Sequence, residues 1–333
     1  MNQFNLRILF LTDDLEDYLA DGILHGLRHL SYVDLIDYPR KECMYEGGRQ
    51  CKSAPHLGVR GGGFTLYGLL IEHPGEIDRG HIWRRLEAGL FDAVIISNIW
   101  RQWGLLIQLR KLLSGFPLII LDGEDDQRFF PLSATKVRQF GIFNGLANLL
   151  RSPTTYIFKR EITQSSTTWP WNIRLNPISF SVPSNSVLNF LPNKIKLFPT
   201  HIIDSEVRDY FGGSDTYAFD DEAQYRYDLS SARFGITTRR AGWDCLRHYE
   251  IASCGTIVCF RDLNKKLRSC APHGLIHGFN CLNYNSVDDL LAKINCLSSE
   301  QESAMQYAAL NWATSQSTSC AAARMLKVSG LVS

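Results

Sequence analysis

The sequence has no apolar run of membrane-spanning length and no excess of charge of one sign, its net charge being +1. No spanning helix is therefore expected. Nor is there a bulk electrostatic case for nucleic acid, and no nucleic-acid partner is expected. A GxGxxG fingerprint is missing, which removes the simplest dinucleotide reading. Short-period repeats and low-complexity tracts are missing as well. The nine cysteines (Cys43, Cys51, Cys245, Cys254, Cys259, Cys270, Cys281, Cys296 and Cys320) are odd in number and show no CxxC spacing. Buried thiols are expected rather than disulfides or a cysteine metal site. The opening MNQFNLRILFLTDD has one basic residue and then acids where a signal peptide has small residues. It reads as a first buried strand of a cytoplasmic chain. Peripheral membrane association is compatible with that.

What is present is the composition of a soluble globular protein, 45% apolar and 21% charged, in 333 residues. That length holds two domains of ordinary size.

The most informative stretch is Phe234 to Asp262, FGITTRRAGWDCLRHYEIASCGTIVCFRD. Phe234–Thr237 reads as a strand and Thr238–Gly242 as a turn carrying two arginines. Trp243–Cys254 has helical length and stops at Gly255, a residue suited to the left-handed position after a helix. Thr256–Phe260 is an apolar, β-branched run, as in a buried parallel strand. At 100° per residue, Cys245, Leu246, Tyr249 and Ala252 share one side of the helix. Trp243, Arg247 and Glu250 share the other. The positive helix end beside Arg239 and Arg240 suits a diphosphate. Glu250 can accept hydrogen bonds from sugar or ribose hydroxyls. The same residues also fit a surface helix on which Arg247 and Glu250 merely pair at i,i+3.

GWDCLRHYEIASCG followed by TIVCFRD resembles the nucleotide-sugar half of GT-B glycosyltransferases, nearest to a group-1-like, exostosin-like and CgeB-like branch. HGFNCLNYNSVDDLLAKI and a closing helix with Trp312 extend the resemblance over about 190–330. By this resemblance Glu250 matches the glutamate that binds the ribose or donor sugar. Many group-1 enzymes have a second glutamate eight positions earlier. Here that position is Gly242, so a retaining reaction is not implied. The donor-site set is Arg239, Arg240, Gly242, Trp243, Asp244, Arg247 and Glu250.

The N-terminal half matches in layout only. Leu6–Thr12 is a strand ending in Asp13, Asp14, Glu16 and Asp17, ahead of a helix at Tyr18–Leu30. Val33–Asp37, Phe91–Ser97, Pro117–Leu121 and Thr155–Phe158 read as further strands. Ile77–Ala88, Gln102–Leu113 and Asn144–Leu150 read as helices, an alternation that argues for a parallel sheet. Tyr38–Gly63 is a long polar loop with Arg60-Gly61-Gly62-Gly63. The fourth strand runs into Asp122-Gly123-Glu124-Asp125-Asp126. Acids at the C-terminal ends of parallel strands lie where open α/β sheets bind ligands. One of Asp13, Asp14, Glu124 or Asp125 is the expected general base, with divalent metal an alternative use of those oxygens. His273 and His277 are four apart, a spacing that could hold one metal on a helix, but the glycines and the proline around them make a loop the expected reading.

The expected fold is α/β, two Rossmann-like domains facing a cleft. Residues 1–165 form an acceptor domain, 166–193 a linker and 194–315 a nucleotide-sugar domain. Ile195–Phe198 is the expected opening of the second domain, and Tyr217–Phe219 an expected short strand in it. Residues 316–333 form a helix returning to the first domain. The expected activity is transfer of a sugar from a nucleotide-diphosphate sugar to a hydroxyl acceptor, without metal or other cofactor. A non-catalytic sugar-nucleotide binder or coat-associated protein, or a GT-B epimerase, is the alternative.

Overall fold

The computed structural model describes residues 5–13, 15–48, 63–163, 171–214 and 219–333, with side chains omitted at 131–134. The chain forms two compact units. One runs to Ile178 and resumes at Thr318; the other is Ser179–Ser317.

The first unit holds β1 (Leu6–Leu11), α1 (Tyr18–Arg28), β2 (Val33–Tyr38), α2 (Ile82–Glu87), β3 (Ala93–Ile96), α3 (Ile99–Leu113) and β4 (Leu118–Asp122). It continues through α4 (Pro131–Gln139), α5 (Phe143–Leu150), β5 (Thr155–Lys159) and β6 (Leu175–Pro177). The strands make a six-stranded sheet in the order β2-β1-β3-β4-β5-β6, parallel throughout. Leu9, Leu11, Val94, Ile96, Leu118, Ile120 and Ile157 pack with α3 and α5 residues such as Leu106 and Leu146. The alternating residues Ile8, Phe10, Ile95, Ile119 and Leu121 are buried too. Both faces of the sheet are therefore covered, which is why these strands are continuous apolar runs.

The second unit holds α6 (Ser205–Phe211), α7 (Glu222–Ser230), β7 (Phe234–Thr237), α8 (Leu246–Ser253), β8 (Ile257–Arg261), β9 (Cys281–Tyr284), α9 (Val287–Asn295) and α10 (Ser299–Ser315). Its sheet is β7-β8-β9, all parallel. Phe234, Ile236, Ile257, Cys259, Leu282 and Tyr284 pack with Val207, Leu290, Ile294 and Met305. The final helix, α11 (Thr318–Val328), belongs to the first unit. The expected linker divides at Ser179, the described residues before it belonging to the first unit.

Several boundaries differ from expectation for local reasons. The helix expected at Ile77–Ala88 begins only at Ile82, because Asp78 bonds the Gly80 N–H at 2.7 Å and His81 has φ 51°. Such an Asx turn competes with a helical start. The helix expected from Trp243 begins at Leu246, after a Cys245 cap with extended backbone. Ile195–Phe198 makes one isolated bridge, Lys196 with Ala232. Helix α4, opened by Pro131 at its first turn, was not expected. Gly255 does take φ +63° after α8. Residues 217–218 of the strand expected at Tyr217–Phe219, and Arg60–Gly62, lie outside the described residues. All eight described cysteines are free thiols.

Helix α1 is capped by Asp17, whose side chain accepts from the Leu19 and Ala20 N–H groups. It lies against α11 so closely that a Cβ on Gly26 would sit 2.0 Å from the Thr318 carbonyl oxygen. Beside that contact His25 Nδ1 meets the Thr318 hydroxyl at 2.9 Å. Gly26→Ala is expected to lower stability by about 1–3 kcal/mol, read as a fall in the denaturation midpoint; an unchanged midpoint would mean that α11 is not seated on α1. Burial, and then the charge of His29, push His25 down to about 3. The folded state thus excludes an imidazolium that the unfolded chain forms below about 6.5. This contribution to stability is full above that pH and is lost on acidification, by about 2 kcal/mol at pH 5. His25→Gln should flatten the slope of melting temperature between pH 7 and 5; an equally steep slope would assign it to other groups.

Candidate functional site

In the second unit the strand–turn–helix element is built around β7 and α8. β7 is wholly buried and delivers Thr237 to the turn. There the Arg240 N–H bonds the Gly242 carbonyl at 3.0 Å. Arg239 and Arg240 are exposed, and the Arg239 guanidinium lies 5.1 Å from the centre of the Trp243 ring. Trp243 itself is buried, tilted against Phe260. No side chain caps the start of α8, so its first N–H groups add to the positive character of this end.

Two residues hold the turn in place. His248 is fully buried and lies 3.0 Å from the Thr237 hydroxyl through Nδ1 and 2.9 Å from the Trp243 carbonyl through Nε2. A carbonyl only accepts, so Nε2 carries a proton. Asp244 accepts from the Phe180 N–H and from the Tyr249 hydroxyl, both at 2.8 Å. Both of its oxygens are thus engaged in joining the start of this unit to α8. Arg247 is half-buried, and its Nε is buried with no hydrogen-bond partner among the described residues. Glu250 is only 8% exposed. Its Oε2 accepts from the Tyr225 hydroxyl of α7 at 2.7 Å.

In the first unit the strand order reverses between β1 and β3, the point at which such sheets open a crevice at their C-terminal edge. Three of the acids read at these strand ends, Asp13, Asp17 and Glu124, are linked there through Arg101 and Asn98. Asp13 Oδ1 accepts from the Leu15 N–H and from Arg101 Nη1, both at 2.9 Å. Its Oδ2 is buried without a hydrogen-bond partner among the described residues. Asn98, which caps α3, donates to Asp17 at 2.8 Å and to Glu124 at 3.1 Å. One amide therefore ties the first acidic cluster to the second. Buried Lys41 donates to the carbonyls of Asp13, at 2.7 Å, and of Leu15. It also lies 3.4 Å from Asp21. Asp125 is exposed and paired with Arg160 at 2.6 Å. Asp14 lies outside the described residues.

Asp122 stands apart from its acidic neighbours. It is fully buried between Lys159 at 3.1 Å and the Trp100 indole N–H at 3.0 Å. Burial pushes its carboxyl up to about 6, against the pull of Lys159. At the end of β2, burial likewise opposes the Asp37 charge. The Lys41 N–H and the guanidinium groups of Arg28 and Arg79 nevertheless hold its carboxyl below the ordinary range.

Sequence reasoning missed Tyr225, His248, Lys41, Asn98 and Arg101. Only Arg101 and Asn98 carried a usable signal, since they follow directly on a buried strand. No three described His, Cys, Asp or Glu side chains are grouped to hold a metal ion. His277, in the loop before β9, accepts from the Asn283 N–H of that strand at 3.1 Å.

Removing Asp122 leaves a buried, unpaired Lys159. Asp122→Ala is therefore expected to cost about 3–5 kcal/mol in chemical denaturation. A loss below about 1 kcal/mol would show that water solvates Lys159 instead.

No protein-family model matches the chain, and no curated protein matches it in sequence. Solved structures do match it along its length. A glycosyltransferase from Rickettsia africae aligns over 98% of this chain and 98% of its own, with TM-score 0.55 and 9% identity. Anabaena HepE, solved with UDP-glucose, aligns over 98% and 100%, with TM-score 0.51 and 12% identity. Trehalose-6-phosphate synthase OtsA aligns over 98% and 99%, with TM-score 0.50 and 10% identity. At such identities the likeness is one of fold: the chain has the two-unit α/β fold of these structures, the GT-B type.

Proposed function

We propose that the protein transfers a sugar from a nucleotide-diphosphate sugar to a hydroxyl acceptor. The observation that carries this reading is the β7–α8 element: two exposed arginines and an uncapped helix start precede a buried, oriented carboxylate on the same helix. A whole-length fold likeness to a protein solved with UDP-glucose supports it. The turn motif also keeps the group-1-like, exostosin-like and CgeB-like branch as the finer assignment.

In this mechanism Arg239, Arg240 and the helix end stabilise the charge that grows on the diphosphate as the glycosidic bond breaks. Arg247 adds a third cation along the helix. Glu250 accepts from donor hydroxyls. Gly242 lets the turn pass close to the phosphates, Trp243 supports Arg239, and Asp244 fixes the start of the helix. The acceptor hydroxyl belongs to the first unit's switch-point edge. Asp13, with one oxygen held and the other unpartnered, suits the base of an inverting reaction better than Asp125, which is paired with Arg160. Glu124 and Asp14 are the other candidates. With guanidinium groups and a helix end meeting the diphosphate, the mechanism needs no metal. The acceptor is a glycan, a lipid-linked sugar or a small molecule. A cytoplasmic location goes with this reading, since the described cysteines are free thiols.

Slow release of free nucleotide from one donor in a panel of nucleotide sugars is the expected outcome. Glu250→Ala should reduce it by at least about tenfold, the loss of one charged hydrogen bond. Should no nucleotide or nucleotide sugar bind at millimolar concentration, the transferase reading falls. Binding without transfer or hydrolysis would favour the non-catalytic binder, and a changed sugar in the recovered donor would favour the epimerase.

A further inference from the structure

Glu250 sits on α8, but the contact that orients it comes from another helix. We propose that Tyr225 of α7 is a positioning residue for nucleotide recognition: its hydroxyl holds Glu250 Oε2 at 2.7 Å and sets the plane in which the carboxylate accepts from the ribose hydroxyls. The inference rests on the nucleotide-sugar reading above.

Three features of the site carry it. First, a glutamate side chain has three torsions to fix, and ordering it at the moment of binding costs free energy. A bond already made in the free protein removes part of that cost. Second, an ionised carboxylate has about four acceptor positions, so it can accept from the phenol and from other donors at the same time. Third, the phenol keeps the proton that it donates to the carboxylate. Burial, and then the charge of Glu250, push its ionisation well above the ordinary value. The ring is held by its own packing, 5.9 Å from that of Phe219. The hydroxyl is thus placed independently of the carboxylate it meets.

Removing the hydroxyl alone, with Tyr225→Phe, keeps the ring and its packing. The measurement is isothermal titration of the whole chain with UDP, ADP and GDP, each beside its 2′,3′-dideoxy counterpart. The wild type is expected to prefer one ribonucleotide over its dideoxy form. Tyr225→Phe should weaken that ribonucleotide by about tenfold, the loss of one hydrogen bond to a charged group, and leave dideoxy binding nearly unchanged. Glu250→Gln should erode the same preference, and the double variant should add little to the larger single effect.

A purely structural role for Tyr225 predicts equal weakening of both ligands and additive losses; either result overturns the inference. So does a wild type that binds ribo and dideoxy forms alike. A ribose preference that survives Tyr225→Phe overturns the inference and leaves the nucleotide reading standing. No binding of any diphosphate, or of UDP-glucose, overturns both.

Discussion

A parallel sheet covered on both faces leaves one region for chemistry, the edge where its strands end. The first unit depends on that constraint. Its strands are mainly apolar runs, and a row of polar groups appears where they stop: Asp13 and Asp17 after β1, Asp37 near the end of β2, Asn98 after β3, Asp122 at the end of β4, Lys159 and Arg160 at β5. Crowding so many charges on one edge is tolerable only if they satisfy one another. The result is a set of closed pairs, Asp37 with two arginines and Asp122 with Lys159. Beside them lies a more open group in which Asp13 keeps an unpartnered oxygen.

The second unit solves the same problem with fewer strands. One group of its polar residues lies in the turn after β7 and the first turns of α8. Internal ties make that turn rigid: His248 reaches back to Thr237 and Trp243, and Asp244 reaches Phe180 and Tyr249. The charged residues left exposed in the turn are the two arginines. Fixed donors and charges at such a place need little reorganisation when a charged ligand arrives, which is the condition for strong electrostatic stabilisation.

Much of this was legible in the sequence. The runs LRILFL, AVII, LIILD and IVCFR could be read as buried parallel strands because burial on both faces removes polar alternation. Gly255 marked the end of α8 because few other residues adopt positive φ. The errors fell where side-chain bonding overrides periodicity, as at Asp78–His81 and at the extended Cys245 cap. Asp244 shows the same limit within the site. Its place in the motif marked it for the ligand, yet both of its oxygens are engaged inside the unit.

By itself, then, the sequence determined the α/β class, the strand runs, the arginine turn and the position of Glu250, because each is written in local pattern. The tertiary structure decided which partner each of these residues meets. Tyr225 lies 25 residues from Glu250, Asn98 lies 81 from Asp17 and 26 from Glu124, and Arg101 lies 88 from Asp13. Contacts at such separations leave no periodic trace in one chain. They arise from strand order and helix packing, which bring side chains together only after the sheets have formed.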